Sequence, residues 1–408
     1  MRFCASHPPP FRARVHMATK PLLIRGLSTI SPLGSSPQEI SQSLSLGIAR
    51  ADRTASGPVF RLSEDGCAHL AHVQGEHRYS HLDRTALLAI ACARQTFARA
   101  SHSAPPVGCV SIGSTRGATT TIENTIERFS SGASALPPST SLTTTAGNIS
   151  SWVAQEAADR GDTTGRIAAI TTSMTCTSAF HSLLVCYAFV RAGLANTALF
   201  GGAESCLTPY TMAQLHALRI YSKNGGEFPC MPCLKHDQPV NTVTLGEGAG
   251  TAMLMEDDGT AVEGDITLLG LGWATEKTPS ATGISEDGEA FQVAMRAALE
   301  QLPPGRLIDA VVLHAPGTTK GDAAELAAVR EVLGSVPLCS TKHLTGHTYG
   351  ASGMMSLSMA AWLLDGGDWQ GFPYPCLAQS SRISSPQTVL INTAGFGGNA
   401  VALIVGRG

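Results

Sequence analysis

The chain is short of charge. Only 14% of its 408 residues are Asp, Glu, Lys or Arg, against 43% hydrophobic, and the net charge is −3. With no cluster of Lys and Arg, the electrostatic footprint of a nucleic-acid binder is absent. So low a charge fraction suggests surface given over to an oligomer interface. No apolar run reaches the roughly 18 residues of a membrane-spanning helix. Residues 1–15 hold three consecutive prolines and several arginines but no apolar core, so they do not read as a secretory signal. The first 16 residues (1–16) are read as a disordered or non-native segment, with the folded pattern starting after Met17. Eleven cysteines in a chain this long suggest no disulfide framework, and several lie in apolar stretches such as Ala91-Cys92-Ala93 and Val185-Cys186-Tyr187. That fits a reducing, cytoplasmic setting. Cys230-Met-Pro-Cys233 has metal-ligand spacing but lacks a second pair at a matching distance, so no metal is expected. Three catalytic signatures are also missing: a Gly-x-Ser-x-Gly elbow, a Walker loop, and a Gly-x-Gly-x-x-Gly after a strand.

What is present is an alternation of apolar strand-like runs with helical ones. Leu22–Ile24, Val107–Gly113, 166–172, Ala198–Glu204 and Gly248–Met255 read as strands. Pro37–Gly47, His81–Arg99, Thr119–Phe129, Gly147–Arg160 and a run from Ala179 to 192 read as helices; in the second, Ala86, Ile90, Ala93 and Phe97 recur at helical spacing. Phe60–Arg78 and Ser130–Thr145 read as loops. A second half, 259–408, echoes the first, 17–258: strands at Ile266–Trp273, Ala310–Leu313, Val336–Ser340, Thr388–Asn392 and Ala400–Val405, helices at Asp287–Gln301, Ala323–Leu333 and up to Leu364. The alternation predicts an α/β architecture with largely parallel sheets and an internal duplication.

The stretch Thr171-Thr-Ser-Met-Thr-Cys176-Thr-Ser-Ala179 lies between a strand and a long helix. It puts Cys176 about where the helix starts. Unpaired amide N–H groups and the positive end of the helix dipole gather there, and both favour the nucleophilic thiolate. The small neighbours leave room for a carbonyl. The stretch alone fits equally a buried, inert cysteine that packs as a small hydrophobe.

Three further features end strands in the second half, where ligand sites of such folds gather. His314-Ala-Pro-Gly-Thr-Thr-Lys-Gly-Asp322 follows Val311-Val-Leu313. Ser340-Thr-Lys342-His-Leu-Thr-Gly-His347-Thr-Tyr-Gly350 brings a lysine and a histidine into one Gly-flanked loop. Gly395-Phe396-Gly397-Gly398 permits close backbone approach, so that amides can face an oxyanion. A lone strand-end histidine is usually a satisfied polar group and a glycine loop usually a turn. Together with a cysteine they supply a nucleophile, a proton acceptor and donors for a reacting carbonyl.

With Met174-Thr-Cys176-Thr-Ser-Ala179, Gly201-Gly-Ala-Glu204, Gly246-Glu-Gly-Ala-Gly250, the His314 loop, Ser340-Thr-Lys-x-x-Thr-Gly-His347 and Gly395-Phe-Gly-Gly398 in order, the chain resembles a β-ketoacyl-acyl-carrier-protein synthase of the elongating type. The resemblance runs from about Pro21 to the C-terminus. It implies the thiolase fold, a duplicated αβαβα arrangement of five layers. It implies that Cys176 takes an acyl chain from the phosphopantetheine of an acyl carrier protein. His314 and His347 would assist decarboxylation of a malonyl carrier protein and hold the enolate, which then attacks the acyl thioester. The amides of Cys176 and Phe396 would form the oxyanion hole, with Phe396 also gating the acyl pocket beside Gly395 and Gly397. Lys342 would tune the field near His347, and Thr318 would meet the pantetheine arm. No cofactor is implied beyond that arm. Two His rather than His plus Asn, and no second-half Cys, set the chain apart from initiating synthases and true thiolases.

Departures from the family's pattern point to a branch in secondary metabolism, such as aryl polyene or related pigment pathways. His314-Ala-Pro-Gly-Thr318 replaces the usual His-Gly-Thr. Ala394 stands where a second Phe is common, and with Met174 and Phe180 it is expected to shape the acyl pocket. Ser356 stands where a Glu often follows the second His, so Lys342 is expected to lean on Glu325. The loop Pro232–Thr244 lacks the usual Pro-Phe-Asp…Asp-Gly pattern. The expected partners are an acyl carrier protein and a second ketosynthase-like chain, in a homodimer or in a heterodimer with a related ketosynthase or chain-length factor. The competing reading is that this chain is itself the chain-length-factor-like partner.

Overall fold

The computed structural model describes residues 20–100, 105–133, 135–161, 163–235, 237, 240–259, 261–278, 280, 282–378 and 382–407. The reading of residues 1–16 therefore lies outside the described residues.

Ten strands form one sheet. In chain order they are β1 (Leu22–Ile30), β2 (Val107–Gly113), β3 (Thr163–Thr172), β4 (Thr197–Glu204), β5 (Gly248–Glu256), β6 (Ile266–Thr275), β7 (Ala310–Val312), β8 (Leu338–Cys339), β9 (Thr388–Gly395) and β10 (Asn399–Gly406). Across the sheet they run β8-β7-β9-β10-β6-β1-β5-β4-β2-β3. Counted outward from the centre, both halves repeat one order: first, fifth, fourth, second, third. The halves meet where β1 and β6 pair antiparallel, Leu22 opposite Leu268 and Ile24 opposite Ile266. Beside that seam the buried Arg25 guanidinium grips the Asp265 carboxylate at 2.6 Å, an ion pair that desolvation makes costly to break.

The sheet is not largely parallel. Within each half two ladders are parallel and two antiparallel. The reason is local in the second half: β9 returns directly into β10 through the short Gly395–Asn399 turn, and a hairpin can only make antiparallel neighbours. Two further expectations fail. Glu64–Gln74 is a helix, capped by the Ser63 hydroxyl accepting from the Gly66 amide, where a loop was expected. Its one buried stripe is only Gly66, Leu70 and Val73, too sparse a pattern to stand out. Thr140–Thr144 adds a short helix inside the other expected loop.

Helices complete the layers. Arg84–Arg99 and Asn148–Asp159 cover the outer face of the first half, and Glu289–Leu299 that of the second. Between the halves lie Ser178–Arg191 and Ser352–Leu364, which touch each other and the strands. The second of these has twelve buried residues out of thirteen. A helix apolar all round is what an inner layer demands. This is the five-layer α/β arrangement.

Candidate active site

Four strands of the two halves aim their carboxyl ends at one place. After β3 comes Cys176; after β7, His314; after β8, Lys342 and His347; after β9, Phe396. The backbone carries Cys176 there through Thr175, at φ 50, a left-handed conformation that a β-branched residue adopts only when its surroundings impose it. Those surroundings are visible. The Thr115 hydroxyl donates to the Thr175 carbonyl at 2.8 Å, and the Thr175 hydroxyl donates to the Phe396 carbonyl at 3.4 Å. Gly395 is required at the join, because a Cβ there would stand 1.9 Å from Thr175 Oγ1 and 3.2 Å from the Cys176 amide nitrogen. The Gly395–Phe396 turn thus lies directly on the cysteine loop, with Phe396 40% exposed at the mouth.

Cys176 Sγ lies 3.0 Å from His347 Nε2. The other ring nitrogen of His347 lies 2.9 Å from the Ser352 hydroxyl, on the first residue of the inner helix. His347 is fixed through its backbone too: its amide donates to the Thr244 carbonyl at 2.7 Å, and its carbonyl accepts from the Gly246 amide at 3.1 Å. A Cβ on Gly246 would fall 1.9 Å from the Thr345 carbonyl oxygen, which is why the Gly246 motif is needed far from it in sequence. The ring of His314 stands edge-on to that of His347, centroids 5.4 Å apart, and Tyr349 flanks the other side at 5.2 Å.

Burial sets the electrostatics. It pushes the Cys176 thiol up to about 12, with Lys342 pulling it down and Glu204 adding to the rise. The thiolate expected from the helix start is therefore not the resting form. Cys176 sits two residues ahead of Ser178, the first helical residue, and desolvation outweighs the dipole. Burial likewise drives both imidazoles well below their ordinary range, helped by Lys342. The resting site is a neutral thiol against neutral histidines. Lys342 is itself lowered by burial and held up by Glu325.

Glu325 does not form a close ion pair with Lys342; it acts on it through space. Its two oxygens accept the amides of His314 (2.8 Å) and Ala315 (2.7 Å), so it holds the His314 loop in shape. Asp322 does the same lower down, accepting from Gly317, Thr318 and Cys233; burial raises it to about 7. Thr318 caps the helix Thr319–Leu333 at the half-buried edge of this loop. The structure thus brings Cys176, His314, His347, Lys342, Glu325, Gly395 and Phe396 together, with Thr318 at the rim and Gly397 on the exposed turn. Phe180 is fully buried in the central core, and Ser356 is buried with an unpartnered hydroxyl among the described residues.

Two contributors are given no role by the sequence reading, though Glu204 stands in one of its motifs. Ser352 fixes the His347 ring, yet a serine at a helix start carries no distinguishing signal. Glu204, fully buried, accepts from the Ser114 hydroxyl and the amides of Thr115, Arg116 and Gly350, tying the loop behind Cys176 to the loop after His347. A carboxylate ending the apolar run of β4 was the available sign, since such a charge is buried only with partners.

Comparison with known proteins agrees with this geometry. The family model for the N-terminal domain of β-ketoacyl synthases matches residues 19–259, and that for the C-terminal domain matches residues 267–369. The tetracenomycin polyketide synthase ketoacyl synthase alpha subunit of Streptomyces glaucescens is 25% identical over 96% of this chain and 98% of its own. The 3-oxoacyl-[acyl-carrier-protein] synthase 2 of Vibrio harveyi is 29% identical over 58% of this chain and 61% of its own. Among solved structures, the ishigamide ketosynthase/chain length factor superposes with a TM-score of 0.82 at 19% identity, over 96% of this chain and 100% of that one. A ketosynthase in complex with its chain length factor from Xenorhabdus doucetiae gives 0.75 at 21%, over 95% and 98%; both likenesses bear on the fold. With family models matched across most of its length, this chain belongs to the β-ketoacyl synthases, the carbon–carbon bond-forming acyltransferases.

Proposed function

We propose that this chain is the catalytic, elongating ketosynthase, working on thioesters of an acyl carrier protein. The observation that carries the reading is the 3.0 Å contact between Cys176 Sγ and His347 Nε2 beside a second buried imidazole. In the first step the thiol proton passes to His347 Nε2 as sulfur attacks the carbonyl of the incoming acyl thioester. With Nε2 free to take the proton, Nδ1 carries the other hydrogen and donates to the Ser352 hydroxyl both before and after that transfer. The Cys176 and Phe396 amides stabilise the oxyanion. The carbon–sulfur bond to pantetheine breaks, and the departing sulfur recovers the proton.

In the second step the malonyl carboxylate leaves as carbon dioxide, and its electron pair forms an enolate held by His314 and His347. The buried Nδ1 of His314 has no hydrogen-bond partner among the described residues. The enolate carbon attacks the acyl carbonyl on Cys176, the carbon–sulfur bond breaks, the departing thiolate takes one proton from water to restore the resting thiol, and the chain is longer by two carbons. Lys342 and Glu325 set the field and hold the His314 loop; Thr318 and the turn at Gly395 and Gly397 meet the pantetheine arm. A partner subunit without chemistry, the competing reading, has no use for a thiol touching one of two adjacent buried imidazoles.

We assign the chain to a branch making polyene-like or other secondary metabolites, within a dimer with a second ketosynthase-like chain. Its full-length similarity to a polyketide ketosynthase subunit supports this. The test is mass spectrometry of the protein after incubation with an acyl carrier protein, then product analysis with malonyl carrier protein and co-purified partner. An acyl adduct on Cys176, absent in Cys176→Ala, is expected. An adduct persisting in that variant overturns the nucleophile assignment, and long saturated products overturn the pathway.

A further inference from the structure

Two pairs of cysteines lie thiol to thiol away from the catalytic cluster. Cys109 on β2 and Cys186 on the inner helix are neighbours in the core, the Cys186 thiol donating to the Leu199 carbonyl at 3.4 Å, and both are fully buried. Cys233 and Cys376 are also neighbours, the Cys376 thiol donating to the Pro232 carbonyl at 3.8 Å, but here Cys376 is only half-buried and the neighbouring Leu377 is 52% exposed. One pair is sealed and the other is open to a small reagent.

The backbone of the open pair suits a covalent link. Leu234 and Cys376 face each other in an antiparallel bridge. It is bracketed by the Leu377 amide donating to the Cys233 carbonyl at 2.8 Å and the Lys235 amide donating to the Pro375 carbonyl at 3.0 Å. This is the close, non-hydrogen-bonded kind of pair, with facing Cα atoms about 4.5 Å apart. One step along the strand, about 3.3 Å, places Cys233 and Cys376 within the ~4.4–6.8 Å that a disulfide spans. In a regular strand these two side chains would take opposite faces. Cys233 is at φ 54, which breaks the alternation and lets its thiol reach Cys376.

We propose that Cys233 and Cys376 are a modification site, closing to a reversible disulfide that slows the enzyme under oxidising conditions. The half-exposed Cys376 sulfur attacks a low-molecular-weight disulfide, forming a mixed disulfide and releasing one small thiol. Cys233 then displaces the second small thiol. Two protein thiols are oxidised, one small disulfide is reduced, and both protons leave on the released thiols.

The link to the active site is a single carboxylate. The Cys233 amide donates to Asp322 Oδ2 at 2.7 Å, and Asp322 Oδ1 holds the amides of Gly317 and Thr318 in the His314 loop. The thiol of neighbouring Cys230 donates to the Pro316 carbonyl. As the two sulfurs close from contact to bonding distance, any shift of the Cys233 amide passes through Asp322 to the loop that carries His314. This effect on turnover rests on the condensing reading above; the bond itself does not.

The full-length protein, and Cys176→Ala to remove the reactive nucleophile, are treated with oxidised glutathione, alkylated and digested without reduction. A 233–376 linked peptide is expected, lighter by two hydrogens, while Cys109 and Cys186 remain alkylatable only after unfolding. Elongation by the wild type falls about tenfold, the scale that small misplacements of catalytic groups produce, and dithiothreitol restores it; Cys376→Ser keeps its activity through the same treatment. Absence of the linked peptide, or its appearance only in denatured protein, overturns the site. A linked peptide with undiminished elongation overturns the coupling to His314. A linked peptide in a protein that never elongates leaves the site standing and sinks the condensing reading instead.

Discussion

The two halves share a strand order yet divide the chemistry. In the first, the segment between β3 and the inner helix is five residues long, 173–177, and delivers one thiol. In the second, the segment between β8 and its inner helix is twelve residues long, 340–351, and delivers Lys342 and His347. In the loop after β2, Thr115 braces the cysteine turn and Ser114 binds Glu204, whereas the loop after β7 carries His314. The two halves share one frame; unequal loops give one half the thiol and the other the lysine and the imidazoles. Neither half holds its groups alone: Glu204 of the first half grips Gly350 of the second, and Gly395 of the second packs under Thr175 of the first.

That division can be broken at its sharpest point by separating the histidines. His347→Ala is expected to slow acylation of Cys176 as well as elongation, by about 10²–10⁴-fold, the usual worth of a positioned general acid–base group. His314→Ala should leave acylation near normal and lose only the malonyl step. Equal loss of acylation in both variants would deny the split. Because burial holds both rings well below 6.5, their protonation should not limit kcat/KM until the pH is clearly under that value; an acid limb at 6.5 in a pH–rate profile would contradict it.

Next comes the seam between the halves. Gly395→Ala places a methyl against Thr175 Oγ1 and the Cys176 amide, and elongation is expected to fall by about 10–10²-fold with the overall fold retained. Stopped-flow acylation and circular dichroism together check this. Glu204→Gln keeps the shape but turns an NH₂ group toward amide donors. A loss of about 1–3 kcal/mol is expected from unmet hydrogen bonds, read by urea unfolding of the intact protein.

The last effect is one on stability alone and concerns a residue beside Lys342 that does no chemistry. His343 is fully buried among Phe228, Trp369, Phe372 and Tyr374, and desolvation lowers it to about 3. The unfolded chain takes up a proton below pH 6.5 that the folded chain refuses. This contribution to stability is therefore complete above 6.5 and is lost as the pH falls, by about 1.4 kcal/mol per unit until about pH 3. His343→Phe should flatten the dependence by that slope, measured by denaturant midpoints from pH 6.5 to 4; an unchanged slope would show that another group carries it.

Much of this was legible in the residues. Strand and helix periodicity located the ten strands of the large sheet and the longer helices packed on it, because burial imposes it on the side chains. Cys176, His314, His347 and Phe396 were visible because chemistry needs rare residue types at strand ends. Pairing direction was not legible, since an apolar run looks the same whichever way its neighbour runs. Nor was the helix Glu64–Gln74, whose buried stripe is thin.

By itself, then, the sequence determined the class of fold and the family and singled out the candidate reacting groups, all of which follow from local pattern and residue chemistry. Tertiary structure alone decided how those atoms behave. Cys176 is a resting thiol rather than a thiolate because burial, a property of the whole molecule, outweighs the helix start beside it. Glu325 and Asp322 became braces of the His314 loop because folding brought amides to their oxygens. Charge states and hydrogen-bond partners depend on distance in space, and no spacing along the chain records that.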